Sequence, residues 1–197
     1  EDDELIHVSA TTGDDDIFLA TKKGMCIRFN ENDARVIGRT ARGVRAITLK
    51  EGDEIAGADV IRENCYVLTV SETGYGRRSE ITDYRIQNRG GLGLINYRTA
   101  EYGDVAAVRI VSGDEDLILI SSDGIIIRIP SDSISVFSRP SKGVRVMKVG
   151  EDQRVITMTC LERDESAESD TDSQSEENPD GGNASDEPDS QENESQD

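Results

Sequence analysis

The sequence predicts an all-β protein of propeller-like blades, about three of them at about 50 residues and four short strands each, followed by a disordered acidic tail. Three observations predict it. Apolar, turn and basic residues recur at an interval of 50 without a gap. No segment sustains a 3.6-residue apolar period. Of the net charge of −19, residues 164–197 alone hold 14 acids and no Lys or Arg, leaving −5 for the 163 residues before them.

Each repeat opens on a short apolar strand, read at Ile17–Ala20, Tyr66–Val70 and Leu117–Ile120. Each strand runs into Gly24, Gly74 or Gly124, where glycine supplies the positive φ of a hairpin turn and does only that. The return strands are Met25–Phe29, Tyr75–Ser79 and Ile125–Ile129, each with an arginine four residues past the glycine: Arg28, Arg78, Arg128. Polar connections follow over 30–42, 80–92 and 130–142, carrying Arg39, Arg89 and Arg139. A third strand begins after Gly43, Gly93 or Gly143, and a fourth covers roughly Glu54–Val60 and its equivalents. Leu5 stands 50 before Ile55, so residues 1–13 are expected to be the last strand of a truncated blade, ahead of blades at 14–63, 64–113 and 114–163. A ring needs roughly 4–8 blades, so further blades are expected upstream. The tail 164–197 is too polar to pack and is expected to be disordered.

Composition removes several classes of function. His7 is the only histidine, and the three cysteines, Cys26, Cys65 and Cys160, stand far apart with no C-x-x-C pair. Neither a zinc site nor a disulfide framework follows from that pattern, and buried reduced thiols are expected. There is no nucleophile elbow and no phosphate loop, so no catalytic centre, metal site or cofactor is assigned to this chain. With no membrane-length apolar run, a soluble cytoplasmic protein is expected.

Charge also repeats. Residues 22–50, 72–100 and 122–150 carry +6, +2 and +3, whereas 51–71 and 101–121 each carry −4. Blades stacked side by side would bring the basic segments together as a curved stripe, the footprint of a polyanion-binding surface. Arg outnumbers Lys 17 to 5, suiting phosphate recognition. With no Trp and only eight Phe or Tyr, stacking on single strands is poorly supported, so duplex DNA held by its backbone is the expected partner. The candidate contacts are Arg35, Arg39, Arg42, Arg45, Arg77, Arg78, Arg85, Arg89, Arg139, Lys142, Arg145 and Lys148. For Arg28, Arg78 and Arg128 an ion pair with a fourth-strand acid of the same blade is an equal alternative. A bladed protein-interaction platform is the rival reading, disfavoured by the repeated Arg/Gly stripe.

The segments Gly38–Arg45, Leu49–Asp53, Gly74–Arg78 and Asp83–Gly93 resemble the repeat of the C-terminal domain of DNA gyrase A subunits, and the resemblance extends over residues 1–161. It implies a six-bladed β-pinwheel, a propeller variant with altered strand connectivity, that wraps DNA around its rim. It also implies a bacterial type IIA topoisomerase that introduces negative supercoils using ATP and Mg2+. The implied protein partners are gyrase B and a second A subunit, forming an A2B2 assembly through a region outside this chain, where the catalytic tyrosine also belongs. The family's box motif, Gln-basic-Arg-Gly-Gly-basic-Gly, has a degenerate counterpart in Gln87, Asn88, Arg89, Gly90, Gly91, Leu92 and Gly93, where Asn88 and Leu92 replace two basic residues. The related topoisomerase IV, through its own C-terminal domain, is the alternative that the resemblance leaves open.

Overall fold

The computed structural model describes residues 4–163; the acidic tail and the expectation of its disorder lie outside them. In the first repeat, β1 (Asp16–Thr21) and β2 (Met25–Asn30) form the predicted hairpin, and β3 (Ile55–Val60) pairs on the other side of β1. The second repeat supplies β4 (Tyr66–Ser71), β5 (Tyr75–Glu80), the two-residue β6 (Leu94–Ile95), a single helical turn at Thr99–Tyr102, and β7 (Val105–Val111). The third supplies β8 (Glu115–Ser121), β9 (Ile126–Pro130), the two-residue β10 (Val144–Arg145) and β11 (Val155–Glu162).

The sheets do not coincide with the sequence repeats. Their strand orders are β3-β1-β2-β6, β7-β4-β5-β10 and β11-β8-β9. Every third strand therefore belongs to the sheet of the preceding repeat: Leu94 pairs with Cys26, and Val144 with Gly76. The second and third repeats thus each supply the four strands predicted, but a repeat keeps its first, second and fourth and lends its third to the sheet before it. Val44–Arg45, the position equivalent to β6 and β10, forms no strand, since the described residues hold no earlier return strand to receive it.

The lent strands also give some glycines a second duty. Gly143 has φ +83° and a Cβ there would overlap the Gly76 carbonyl, so only glycine lets the lent strand approach its host. Gly74 is more than a turn former. Its carbonyl oxygen accepts from the Val146 and Met147 amides, at 2.9 and 3.1 Å, and a Cβ there would strike Met147. Gly124, with no neighbour within 4 Å of such a Cβ, keeps the turn role alone.

Each fourth strand carries one extra residue opposite the end of the first strand (Ala56, Ala106 and Ile156), so the bulge itself repeats at 50. β7 packs against both β3 and β11, so the fourth strands gather on one side of the stack. Apolar residues fill the space between sheets: Phe18, Val67, Val105 and Val108 join the first sheet to the second, and Leu68, Val70, Leu117 and Leu119 the second to the third. Of the strand expected within residues 1–13, the described part, 4–13, is not a strand. Residues 4–13 make no ladder, Leu5 and Val8 are 84% and 75% exposed, and the first strand they would pair with is absent from the described residues. Among the described residues, no helix is long and apolar enough to cross a membrane.

Burial sets the pH response of the core. It pushes the Cys26 thiol from 9.0 up to about 12 and the Tyr84 hydroxyl from 10.0 to about 12. Both groups are neutral when protonated, so the unfolded chain ionises first as pH rises, and the stability they contribute is full below about pH 9 and lost progressively toward about 12. Thermal unfolding midpoints should fall over that window, and Cys26→Ala should flatten its lower part; an identical decline in that variant would count against the thiol.

Candidate nucleic-acid interface

With the fourth strands gathered on one side, the return strands, the lent strands and the long connections form the opposite edge. The strands that carry the basic segments therefore stand at the end of each sheet away from the fourth strands. The connections run along the junctions between repeats: Gln87 N donates to the Arg28 carbonyl at 2.8 Å, and Phe137 N to the Arg78 carbonyl at the same distance.

The arginines on this edge divide into two sets. The first staples repeats together. Arg28 pairs with Asp16 at 2.7 Å and donates to the Ile81 and Tyr84 carbonyls of the next repeat. Arg128 pairs with Asp116 inside its own repeat and, among the described residues, reaches no other. At the equivalent place in the second repeat stands Tyr66, and Arg78 lies over its ring at 5.0 Å while donating to the Asp132 and Ile134 carbonyls. The acids engaged belong to first strands, which corrects the expectation of fourth-strand partners. Arg89 donates to the Asp33 and Arg45 carbonyls, and Arg139 to those of Asp83 and Ile95, each reaching back one repeat.

DNA contact is the expectation for Arg89 and Arg139 and one of two equal expectations for Arg78, and the forks of all three are occupied within the protein. Their partners are neutral carbonyls, however, so their positive charge still contributes to the field of the edge. Arg77 is corrected outright: it is fully buried and cannot touch a ligand. Its guanidinium donates to the carbonyl oxygens of Ser141, at 3.0 Å, and Asn96.

The second set is open. Arg35, Arg39, Arg42, Arg45, Arg85 and Lys148 are exposed and make no ion pair among the described residues. Lys142 and Arg145 meet at Tyr75: the ammonium sits 3.8 Å from the ring centroid, the guanidinium 5.3 Å, and Arg145 Nη2 donates to the hydroxyl at 2.9 Å. That hydrogen bond holds the Tyr75 hydroxyl below the ordinary phenol range. Tyr75 was not foreseen. The signal for it was a column comparison, since the equivalent positions hold Met25 and Ile125.

The box-like segment is a docking piece. Gly90 N donates to the Ala46 carbonyl, and Thr48 donates from its amide to the Gly91 carbonyl and from its hydroxyl to that of Gly90. Asn88 and Leu92 are exposed, Leu92 at 61%, and neither supplies a cation.

Residues 15–62, 66–112 and 115–162 match the family described as "DNA gyrase C-terminal domain, beta-propeller". The chain belongs to that family. It is 44% identical over 178 residues to the DNA gyrase A protein of Staphylococcus aureus, covering 89% of this chain and 20% of that protein. A second S. aureus strain, MRSA252, gives 44% over 167 residues, 83% of this chain and 19% of the relative. The chain thus spans about a fifth of the length of these relatives. Among solved structures, a DNA gyrase A C-terminal domain superposes with TM-score 0.70 at 27% identity, over 77% of this chain and 52% of that one. The C-terminal domain of DNA topoisomerase IV gives 0.72 at 24%, over 76% and 47%, a likeness of fold. The gyrase A relatives favour gyrase over topoisomerase IV as the family reading.

The two sets should separate by stability. Arg28→Ala removes a half-buried ion pair and two bonds to the next repeat and should cost about 3 kcal/mol in denaturant unfolding. Arg42→Ala should stay within about 0.5 kcal/mol. Equal losses would contradict the division.

Proposed function

We propose that this chain forms the C-terminal part of a DNA gyrase A protein, binds duplex DNA through its phosphates along the basic edge, and wraps it to support ATP-dependent negative supercoiling by the assembled enzyme. One observation carries the reading: cations that make no ion pair among the described residues, the exposed Arg35, Arg39, Arg42, Arg45, Arg85, Arg145 and Lys148 and the half-buried Lys142, recur in the basic segments of repeats that match the gyrase family.

The mechanism is electrostatic and geometric. Smooth bending of a 20–30 bp duplex by 40–90° costs on the order of 1–6 kcal/mol. Phosphate contacts spread over successive blades offset that cost, each releasing condensed counterion. Because neighbouring repeats are fixed by lent strands and arginine staples, curvature belongs to the protein before DNA arrives, and with it the hand of the wrapped segment. The assembled enzyme would then receive a positive crossover at its strand-passage gate.

Cleavage, ATP and Mg2+ belong on this reading to the rest of the holoenzyme, with gyrase B and a second copy of gyrase A in the A2B2 assembly and the cytoplasm as the compartment. Among the described residues no group of three His, Cys, Asp or Glu is placed to hold a metal ion, and no step here is routed through one.

A salt titration tests the reading. Duplex affinity should fall steeply with salt, and R42A/R45A/R85A should lower the slope of log K against log salt by roughly 3, at about 0.9 per lost phosphate contact. An unchanged slope in that triple variant would overturn the basic edge as the binding surface.

A further inference from the structure

We propose that the buried Arg77–Asn96–Tyr97 network of the second repeat is a positioning device that holds Lys142 and Arg145 as a preformed clamp for a phosphate of duplex DNA. The proposal rests on the DNA-binding reading above and adds to it one specific site with its support.

The network departs from what the fold requires. Where the second repeat has Thr69, Arg77, Tyr84, Asn96 and Tyr97, the first has Leu19, Ile27, Ala34, Ala46 and Ile47, and the third has Leu119, Ile127, Ile134, Val146 and Met147. The same blade is thus built twice from apolar residues at these positions. Burying polar groups, and above all a guanidinium with no carboxylate beside it, is costly unless every hydrogen bond is made. Here they are made. Asn96 Oδ1 accepts from Tyr84 at 2.8 Å and from Arg77 at 3.2 Å, and Asn96 Nδ2 donates to Thr69 at 3.1 Å.

What the network holds is one short piece of the third repeat. Arg77 Nε donates to the Ser141 carbonyl at 3.0 Å, and the Tyr97 hydroxyl donates to the next carbonyl, that of Lys142, at 2.9 Å. Two donors from a rigid interior thereby fix two consecutive peptides of a connection that otherwise lacks regular structure. The segment they fix carries Lys142 and, three residues on, Arg145.

Tyr75 completes the clamp from the adjacent return strand. Its ring lies beneath the Lys142 ammonium and its hydroxyl takes one Arg145 hydrogen bond, leaving the hydroxyl proton free to donate. Two cations and one hydroxyl donor, gathered at a junction and with no carboxylate paired to them among the described residues, suit a singly charged phosphodiester approached from outside. At the junction before it the equivalent positions are Met25, Leu92 and Ile95, so no such clamp exists there.

The test is duplex binding by the whole 197-residue chain, using a duplex of about 30 base pairs and following thermal unfolding in parallel. Arg77→Ile installs the residue that repeats one and three carry, and Tyr97→Phe removes a single hydroxyl. Both should weaken binding by roughly two- to thirtyfold, the span of couplings carried through packed side chains. K142A/R145A should weaken binding and lower the salt slope by roughly 2. Adding Arg77→Ile to K142A/R145A should cause no further loss, because the network acts through those two side chains.

Unaltered affinity in the Arg77→Ile and Tyr97→Phe variants, or an equal loss of affinity in the background lacking both cations, would overturn the proposal while leaving DNA binding intact. If Arg77→Ile does not fold, Tyr97→Phe and its combination with K142A/R145A decide the matter alone. A parent chain without salt-dependent duplex binding would overturn this inference together with the reading beneath it.

Discussion

Guanidinium groups bonded to main-chain carbonyls across repeat junctions are the constraint on which the rest depends. A blade of this kind presents irregular connections whose carbonyl oxygens no ladder satisfies. Arg28, Arg78, Arg89 and Arg139 satisfy several of them, always in a neighbouring repeat. Together with the lent strands β6 and β10, these bonds tie the first sheet to the second repeat and the second sheet to the third. A carboxylate would have served equally to hold an arginine, but it would have cancelled the charge. Carbonyls hold the side chain and leave its charge on the edge.

One residue type therefore performs two tasks, which explains the division on the edge. Where a first-strand aspartate is present, at Asp16 and Asp116, the arginine is neutralised and its role is cohesion. Where the partner is a ring or carbonyl, as for Arg78 over Tyr66, cohesion and field coexist. The open set then meets a surface whose potential and curvature are already fixed. That order matters energetically, because a flexible edge would have to be ordered at the moment DNA bends.

Much of the fold could be read from spacing alone. Gly24, Gly74 and Gly124 mark real hairpins, and Ile55, Val105 and Val155 open real fourth strands. The lending of β6 and β10 could not be read, because two residues carry no alternation and their host is chosen by how the sheets stack. The site was legible as a stripe but not residue by residue. Arg77 and Arg78 are adjacent in β5 and so face opposite sides of the sheet, one into the core and one onto the next repeat. Sequence presents both as mid-strand cations. Arg39 occupies the column of Arg89 and Arg139, yet it is exposed, because no earlier repeat stands among the described residues to receive it. Tyr75, Asn96 and Tyr97 emerge only when the repeats are compared column by column for polar residues in apolar places.

Arginine-selective chemical modification, read residue by residue by mass spectrometry with and without bound duplex, tests the central claim most directly. On this account Arg35, Arg42, Arg45 and Arg85 react freely and become protected by DNA, while Arg77 stays inert in both states and Arg28 changes little. Uniform protection of all arginines, or protection confined to residues away from the shared edge, would contradict it.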